Sequence, residues 1–224
     1  MPDDVVERRL TDDELRLLAS LGRGRDGRST DIASGGGAPG WVRRSIGFCS
    51  NCGARLETGT PPTEHRERRV CPACGFIAYV NPRIVVTTIP VTEAGEATLL
   101  RRGIEPARGA WAQPGGFLEV DETVAEGAVR ETLEETGLLV EPVELIGLYS
   151  RLEAAVVTLA YEARIVGGEA RVTPEALEVR PFAPDAIPWD EIAFSTSFFA
   201  LRDWVERRHP SVELPAVERR RDRH

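Results

Sequence analysis

The chain has 224 residues and a net charge of −8, enough length for one ordinary domain plus a small one. All 28 basic residues are arginine, which excludes chemistry that needs a lysine, such as a Schiff base or a Walker-type phosphate loop. An acidic chain with 42% hydrophobic residues, no long basic block and no apolar run near ~20 residues is neither a typical nucleic-acid binder nor membrane-spanning. Its first thirty residues carry acids throughout and lack an apolar signal core, which predicts a cytoplasmic protein rather than a secreted one.

In chain order, Thr11 and Glu14 have capping-box spacing and Leu15, Leu17, Leu18 and Leu21 follow, so a short amphipathic helix ending at Gly22 is expected. Arg23 to Gly40 is rich in Gly, Arg and Ser and reads as a flexible linker. Residues 1–46 are thus a solvated extension, or a helix that docks on a partner or sister subunit.

The four cysteines come next as C-x2-C, eighteen residues, C-x2-C: Cys49, Cys52, Cys71 and Cys74. Two such knuckles present four soft ligands in the tetrahedral set that zinc prefers, and four protein ligands leave no open position for water. A structural Zn²⁺ is therefore expected, with two disulfides or four unligated thiols as the alternatives. His65, among Glu64, Arg66 and Glu67, reads as a solvated loop residue.

Arg83 to Val91 is β-branched and apolar, Glu93 to Gly95 resembles a turn, and Ala97 to Leu100 is apolar again, which predicts two paired strands. Trp111 to Gly116 reads as a break. Thr123 to Glu135 reads as a helix, with Thr123 and Glu126 at capping-box spacing and Gly137 as its stop. Leu145 to Tyr149, Val156 to Val166 and Glu178 to Phe182 have strand character, and Ser195 to Arg208 is a closing helix. The expected fold is α+β, an α/β/α sandwich on a mixed sheet, with domains at 47–82 and 83–208 and a solvated tail at 209–224. Of the tryptophans, Trp41, Trp111, Trp189 and Trp204, core or interface roles are expected before base stacking.

The most informative segment is Gly115 to Leu138. It holds Glu119, Asp121, Glu122, Glu126, Glu131, Glu134 and Glu135 against a single base, Arg130. At roughly 100° per residue, Glu131, Glu134 and Glu135 fall within one arc of a helix face. Like charges at that spacing cost a few tenths of a kcal/mol per pair, roughly, so a cation should offset them. Carboxylates suit hard divalent ions such as Mg²⁺ or Mn²⁺.

From Gly116 the spacing runs five residues, Glu122, seven residues, Arg130-Glu131, two residues, Glu134-Glu135, one residue, Gly137-Leu138. This resembles the Nudix box, G-x5-E-x7-R-E-U-x-E-E-x-G-U, with Thr132 in place of the usual aliphatic residue. The Cys49 and Cys71 knuckles followed by Tyr79-Val80-Asn81-Pro82-Arg83 resemble the Nudix subgroup with an N-terminal zinc ribbon, a layout that plant FAD and ADP-ribose pyrophosphatases share. The resemblance covers about residues 47–208.

It implies hydrolysis of a diphosphate bond in a nucleoside diphosphate linked to another moiety, such as FAD or ADP-ribose. It also implies Glu131, Glu134 and Glu135 as Mg²⁺ or Mn²⁺ ligands, Glu122 as an additional carboxylate and Arg130 as the residue that orients them. Gly115 and Gly116 would let backbone approach metal or phosphate, and Arg102 or Arg101 could reach a phosphate. The general base is open between a box glutamate, Glu175 and Glu178. An NADH pyrophosphatase is the alternative enzyme, although the S-Q-P-W-P-F-P element usual there is absent between Leu138 and Tyr161. A nucleotide-sensing regulator whose ribbon binds nucleic acid is the non-enzymatic alternative. It is opposed by the intact box and by a ribbon of four arginines against three acids. Related enzymes often dimerise, so a homodimer is a further expectation.

Overall fold

The computed structural model describes residues 46–62, 64–152 and 154–215. The expected N-terminal helix, the linker, Trp41 and the basic tail at Arg219 lie outside them. The chain divides between Val80 and Asn81 into two compact units, two residues before the boundary read from the sequence. Among the described residues no helix is long and apolar enough to cross a membrane.

The smaller unit is an antiparallel three-stranded sheet of β1 (Glu57–Gly59), β2 (Arg68–Val70) and β3 (Ile77–Ala78), in that order. Its core is only Cys49, Leu56, Cys71 and Ala78, with Ile46 and Ala54 against it. So small an apolar cluster cannot offset the entropy of ordering the segment, and a cross-link is needed.

The larger unit is built on a seven-stranded mixed sheet. Its strands are β4 (Arg83–Val91), β5 (Ala97–Arg102), β6 (Trp111–Ala112), β7 (Gly115–Phe117), β8 (Leu138–Arg151), β9 (Val156–Gly168) and β10 (Ala176–Phe182). The main order is β10-β5-β4-β9-β8, and the β4–β9 pair is parallel. Two helices complete it, α1 (Val124–Thr136) and α2 (Ser195–Arg208). Alternation along β4 shows that they cover opposite faces. Thr88 meets Thr132 of α1, whereas Ile89 packs with Phe198, Leu201 and Trp204 of α2. The α/β/α sandwich is thus present.

β4 and β5 pair only at Val91 and Ala97 and then diverge. The expected break at Trp111 to Gly116 is instead two short strands that occupy the opening. β6 pairs β5 through Trp111 and Ala112, and β7 pairs β4 through Gly115, Gly116 and Phe117. Trp111 is 4% exposed and packs edge-on against Phe182 at 4.8 Å, a core residue as expected. β8 also exceeds its expected extent at Leu145 to Tyr149, because its whole length pairs with β9 through three register shifts.

α1 has both halves of its capping box: Thr123 Oγ1 accepts from Glu126 N at 3.3 Å and Glu126 Oε2 accepts from Thr123 N at 2.8 Å. Gly137 ends it at φ 77°, donating to Leu133 O at 2.9 Å. Thr132 does more than pack a methyl group. Its hydroxyl donates to Ala128 O at 2.7 Å, so its single proton is committed and Thr88 is the donor in the 2.6 Å contact between the two hydroxyls. Thr132→Val is expected to strand the buried Thr88 proton and cost about 1–3 kcal/mol of stability, while Thr88→Val/Thr132→Val recovers most of that loss. Chemical denaturation of the two variants checks this.

Candidate active site

The crossing segment sets the floor of the site. A Cβ on Gly116 would lie 2.5 Å from the Glu131 carboxylate, so that carboxylate rests directly on bare backbone. Gly115 N–H donates to Glu135 Oε2 at 2.8 Å. Burial raises the Glu135 carboxyl to about 7; the Gly115 hydrogen bond opposes the shift and the Glu131 charge adds to it. Glu131 is also raised, again by burial first.

Arg130 organises the rest. Its Nε and Nη2 grip Glu122 at 2.8 and 2.7 Å, a bidentate pair. Nη1 donates to Glu131 at 2.8 Å and to Glu134 at 3.1 Å, and Nη2 also reaches Phe117 O at 3.2 Å. The Arg130 contact, aided by the Glu119 amide, holds the Glu122 carboxyl down to about 2. Glu122, Glu131 and Glu134 are thus drawn together by one cation, and Glu135 stands beside them in the buried floor.

The structure separates the remaining candidates by face. Arg102 shares the face of Leu100, away from Leu99 and α2, and feels the charges of Glu135 and Glu175 while burial lowers its own pKa. Arg101 points to the opposite face, where its Nε donates to Gly109 O at 2.9 Å. A register shift between Ala176 and Glu178 turns Glu178 to that opposite face as well, where it lies 3.5 Å from Arg180. Glu178 is therefore removed from the box, and Glu175 is the downstream acid whose charge reaches Glu135. Gly103 N–H fixes that loop by donating to Glu175 O at 2.7 Å.

In the smaller unit, Cys49 Sγ and Cys74 Sγ are 3.7 Å apart, Cys52 Sγ and Cys71 Sγ 3.5 Å, and all four lie within 4.8 Å of one another. Those separations are far beyond an S–S bond and match the edges of a tetrahedron of thiolates around zinc. The knuckles are built alike: Gly53 N–H donates to Cys49 O and Gly75 N–H to Cys71 O, each at 2.9 Å. His65 is exposed and outside the cluster.

A family model described as NUDIX domain matches residues 81–201, more than half of the chain. The chain belongs to the NUDIX domain family. A second model, described as Nudix N-terminal and named for a zinc ribbon, matches residues 47–80. The crystal structure of a NUDIX hydrolase from Nitrosomonas europaea is 38% identical, with a TM-score of 0.69, over 75% of this chain and 94% of that one. An NAD-capped RNA hydrolase NudC of Pseudomonas aeruginosa is 32% identical over 66% of this chain and 51% of its own length. An ADP-ribose pyrophosphatase of Methanocaldococcus jannaschii is 33% identical over 49% of this chain and 67% of its own. The chain spans about half the length of the Pseudomonas relative.

The donors fit the ions implied in each unit: oxygen only around Arg130 for a hard divalent ion, sulfur only in the ribbon for zinc. Because Glu135 titrates near 7, Mn²⁺ affinity is expected to fall as pH drops below about 7 and to level off above it. The metal-free protein has the complementary slope. A raised carboxyl pKa stabilises the fold below the unfolded value, and that contribution is lost as pH rises through about 7. Glu135→Gln should flatten both profiles in Mn²⁺ titrations and denaturation curves. Removing zinc with a strong chelator is expected to abolish hydrogen-exchange protection in 46–80 while leaving 83–208 protected.

Proposed function

We propose that this chain hydrolyses the diphosphate bond of a nucleoside diphosphate linked to another moiety, with FAD, ADP-ribose or a related dinucleotide as substrate. The observation that carries this reading is the complete set of Glu122, Arg130, Glu131, Glu134 and Glu135 gathered over the Gly115-Gly116 floor. Mg²⁺ or Mn²⁺ held by Glu131, Glu134 and Glu135 would neutralise the diphosphate and acidify a water for attack at phosphorus.

The residues have separable tasks. Arg130 keeps the carboxylates facing one point, and Glu122 anchors Arg130 from the other side. The Gly115 amide fixes Glu135, and the bare Gly116 backbone lets Glu131 lie flat. Glu175, whose charge reaches Glu135, is the carboxylate assigned in this reading to take a proton from the attacking water. Arg102 offers the substrate a positive charge on the same face.

NADH or NAD-linked substrates are the second reading, favoured by the similarity to the NudC relative over 66% of the chain. The missing S-Q-P-W-P-F-P element weighs against it. A panel of FAD, ADP-ribose, NADH and NAD, read by phosphatase-coupled release with Mg²⁺ and with Mn²⁺, separates the two. Preference for FAD or ADP-ribose is expected, and preference for NADH would overturn the first reading. Glu135→Gln is expected to lower kcat by about three orders of magnitude, the scale of losing a charge that steadies the transition state.

A further inference from the structure

Gln113 joins β6 to β7 and is 4% exposed, yet neither its Oε1 nor its Nε2 meets a hydrogen-bond partner among the described residues. Thr87 of β4 is 6% exposed, and its Oγ1 is equally unpartnered. Burial costs an amide donor, an amide acceptor and a hydroxyl their hydration, and no group among the described residues compensates them. Most buried polar groups are bonded, so three open ones in neighbouring side chains call for a reason.

The register sets the two side chains close together. Thr87 pairs with Gly115, and Thr88 N–H donates to Pro114 O at 3.1 Å, so Gln113 lies opposite Ile89, two residues from Thr87 along β4. Ala112 packs in the cluster of Leu100 and Ala176, whereas Trp111 packs in that of Ile89 and Phe198. Alternation therefore turns Gln113 to the α2 face, which Thr87 shares with Ile89. On that face Gly115, Thr87 and Ala160 stand abreast on β7, β4 and β9, a strip of small residues beside the amide. The carboxylates occupy the other face of the same crossing, where Gly116 meets Glu131. β6 pairs with β5 and β7 with β4, so the opening between those strands is where a ligand can reach from one face to the other.

An amide with a free donor beside a free acceptor complements a ring that offers an acceptor beside a donor, the pattern of adenine at N7 and N6. A flat ring also suits a strip of small residues. We propose that Gln113 and Thr87 are the specificity-determining pair of this site: Gln113 pairs with the edge of an adenine and Thr87 bonds the same nucleoside, while the diphosphate lies at the carboxylates. The pair rests on the diphosphate-hydrolase reading and deepens it, since FAD, ADP-ribose and NAD all carry the adenosine that it would hold. Both groups are buried, so the ring displaces the side chains above them as it enters. The open amide destabilises the free protein and is satisfied only in the complex, a division expected of a group kept for binding.

The test titrates the whole chain with ADP and with IDP by calorimetry, Mg²⁺ being supplied to both. IDP carries a carbonyl where ADP carries the N6 amino group, so one of the two amide bonds is lost, and ADP is expected to bind about tenfold tighter. Gln113→Leu should bring that ratio close to one with the melting temperature equal or raised, whereas an amide with a structural task would lower it. Thr87→Val should weaken both nucleotides about threefold and leave the ratio unchanged, because a hydroxyl donates or accepts alike. No preference for ADP in the unaltered protein, an unchanged ratio in Gln113→Leu, or unchanged affinities in Thr87→Val overturns the pair. If the leucine variant does not fold, the ratio in Gln113→Met decides. A preference for ADP with no turnover in the substrate panel would sink the hydrolase reading and leave the pair; turnover without that preference would do the reverse.

Discussion

Everything in the larger unit follows from the need to hold like charges together before any ion arrives. Glu131, Glu134 and Glu135 crowd one side of α1, Glu122 joins them from just before its cap, and no lysine exists anywhere in the chain to answer them. One guanidinium does so, spending all three of its nitrogens on carboxylates. A point charge could not satisfy Glu122 bidentately and still reach two other acids. The cost of burying Glu135 is left standing and appears as its raised pKa.

The sheet is shaped around the same need. Had β4 and β5 paired along their full length, there would be no floor for the carboxylates. They part after one residue pair, and the segment from Trp111 to Phe117 crosses from one to the other, carrying Gly115 and Gly116 beneath α1. The Thr88–Thr132 hydroxyl contact then sets the rotation of α1 about its own axis, because a hydrogen bond is directional where an aliphatic contact is not. Residues 131 and 135 flank that anchor and inherit its precision.

Much of this was readable from local signals. The caps at Thr123, Glu126 and Gly137 act within one helical turn, and Ser195 to Arg208 needed no distant partner to declare a helix. The cysteine spacing specified the thiol tetrahedron because each knuckle is a local turn. What escaped the sequence depended on distant pairing. A Pro-Gly-Gly segment has no strand propensity of its own, so β6 and β7 exist only because β5 and β4 offer edges. The extent of β8 is hidden by Glu141, Pro142 and Glu144, where one of its three register shifts falls. Glu178 is a candidate only as a neighbour of Glu175 in sequence, and one bulge turns it to the opposite face. The partner of Thr132 lies 44 residues away.

The Gly116 floor has one more consequence. A surface made of backbone has no rotamers, so it cannot adjust to what is placed on it. The reacting end of the pocket is therefore a fixed template, indifferent to the rest of the ligand. Under the proposed function, selection among substrates would fall to side chains outside this floor, which have the rotamers that main chain lacks. Chemistry and choice are housed in different materials: main chain for the one, side chains for the other.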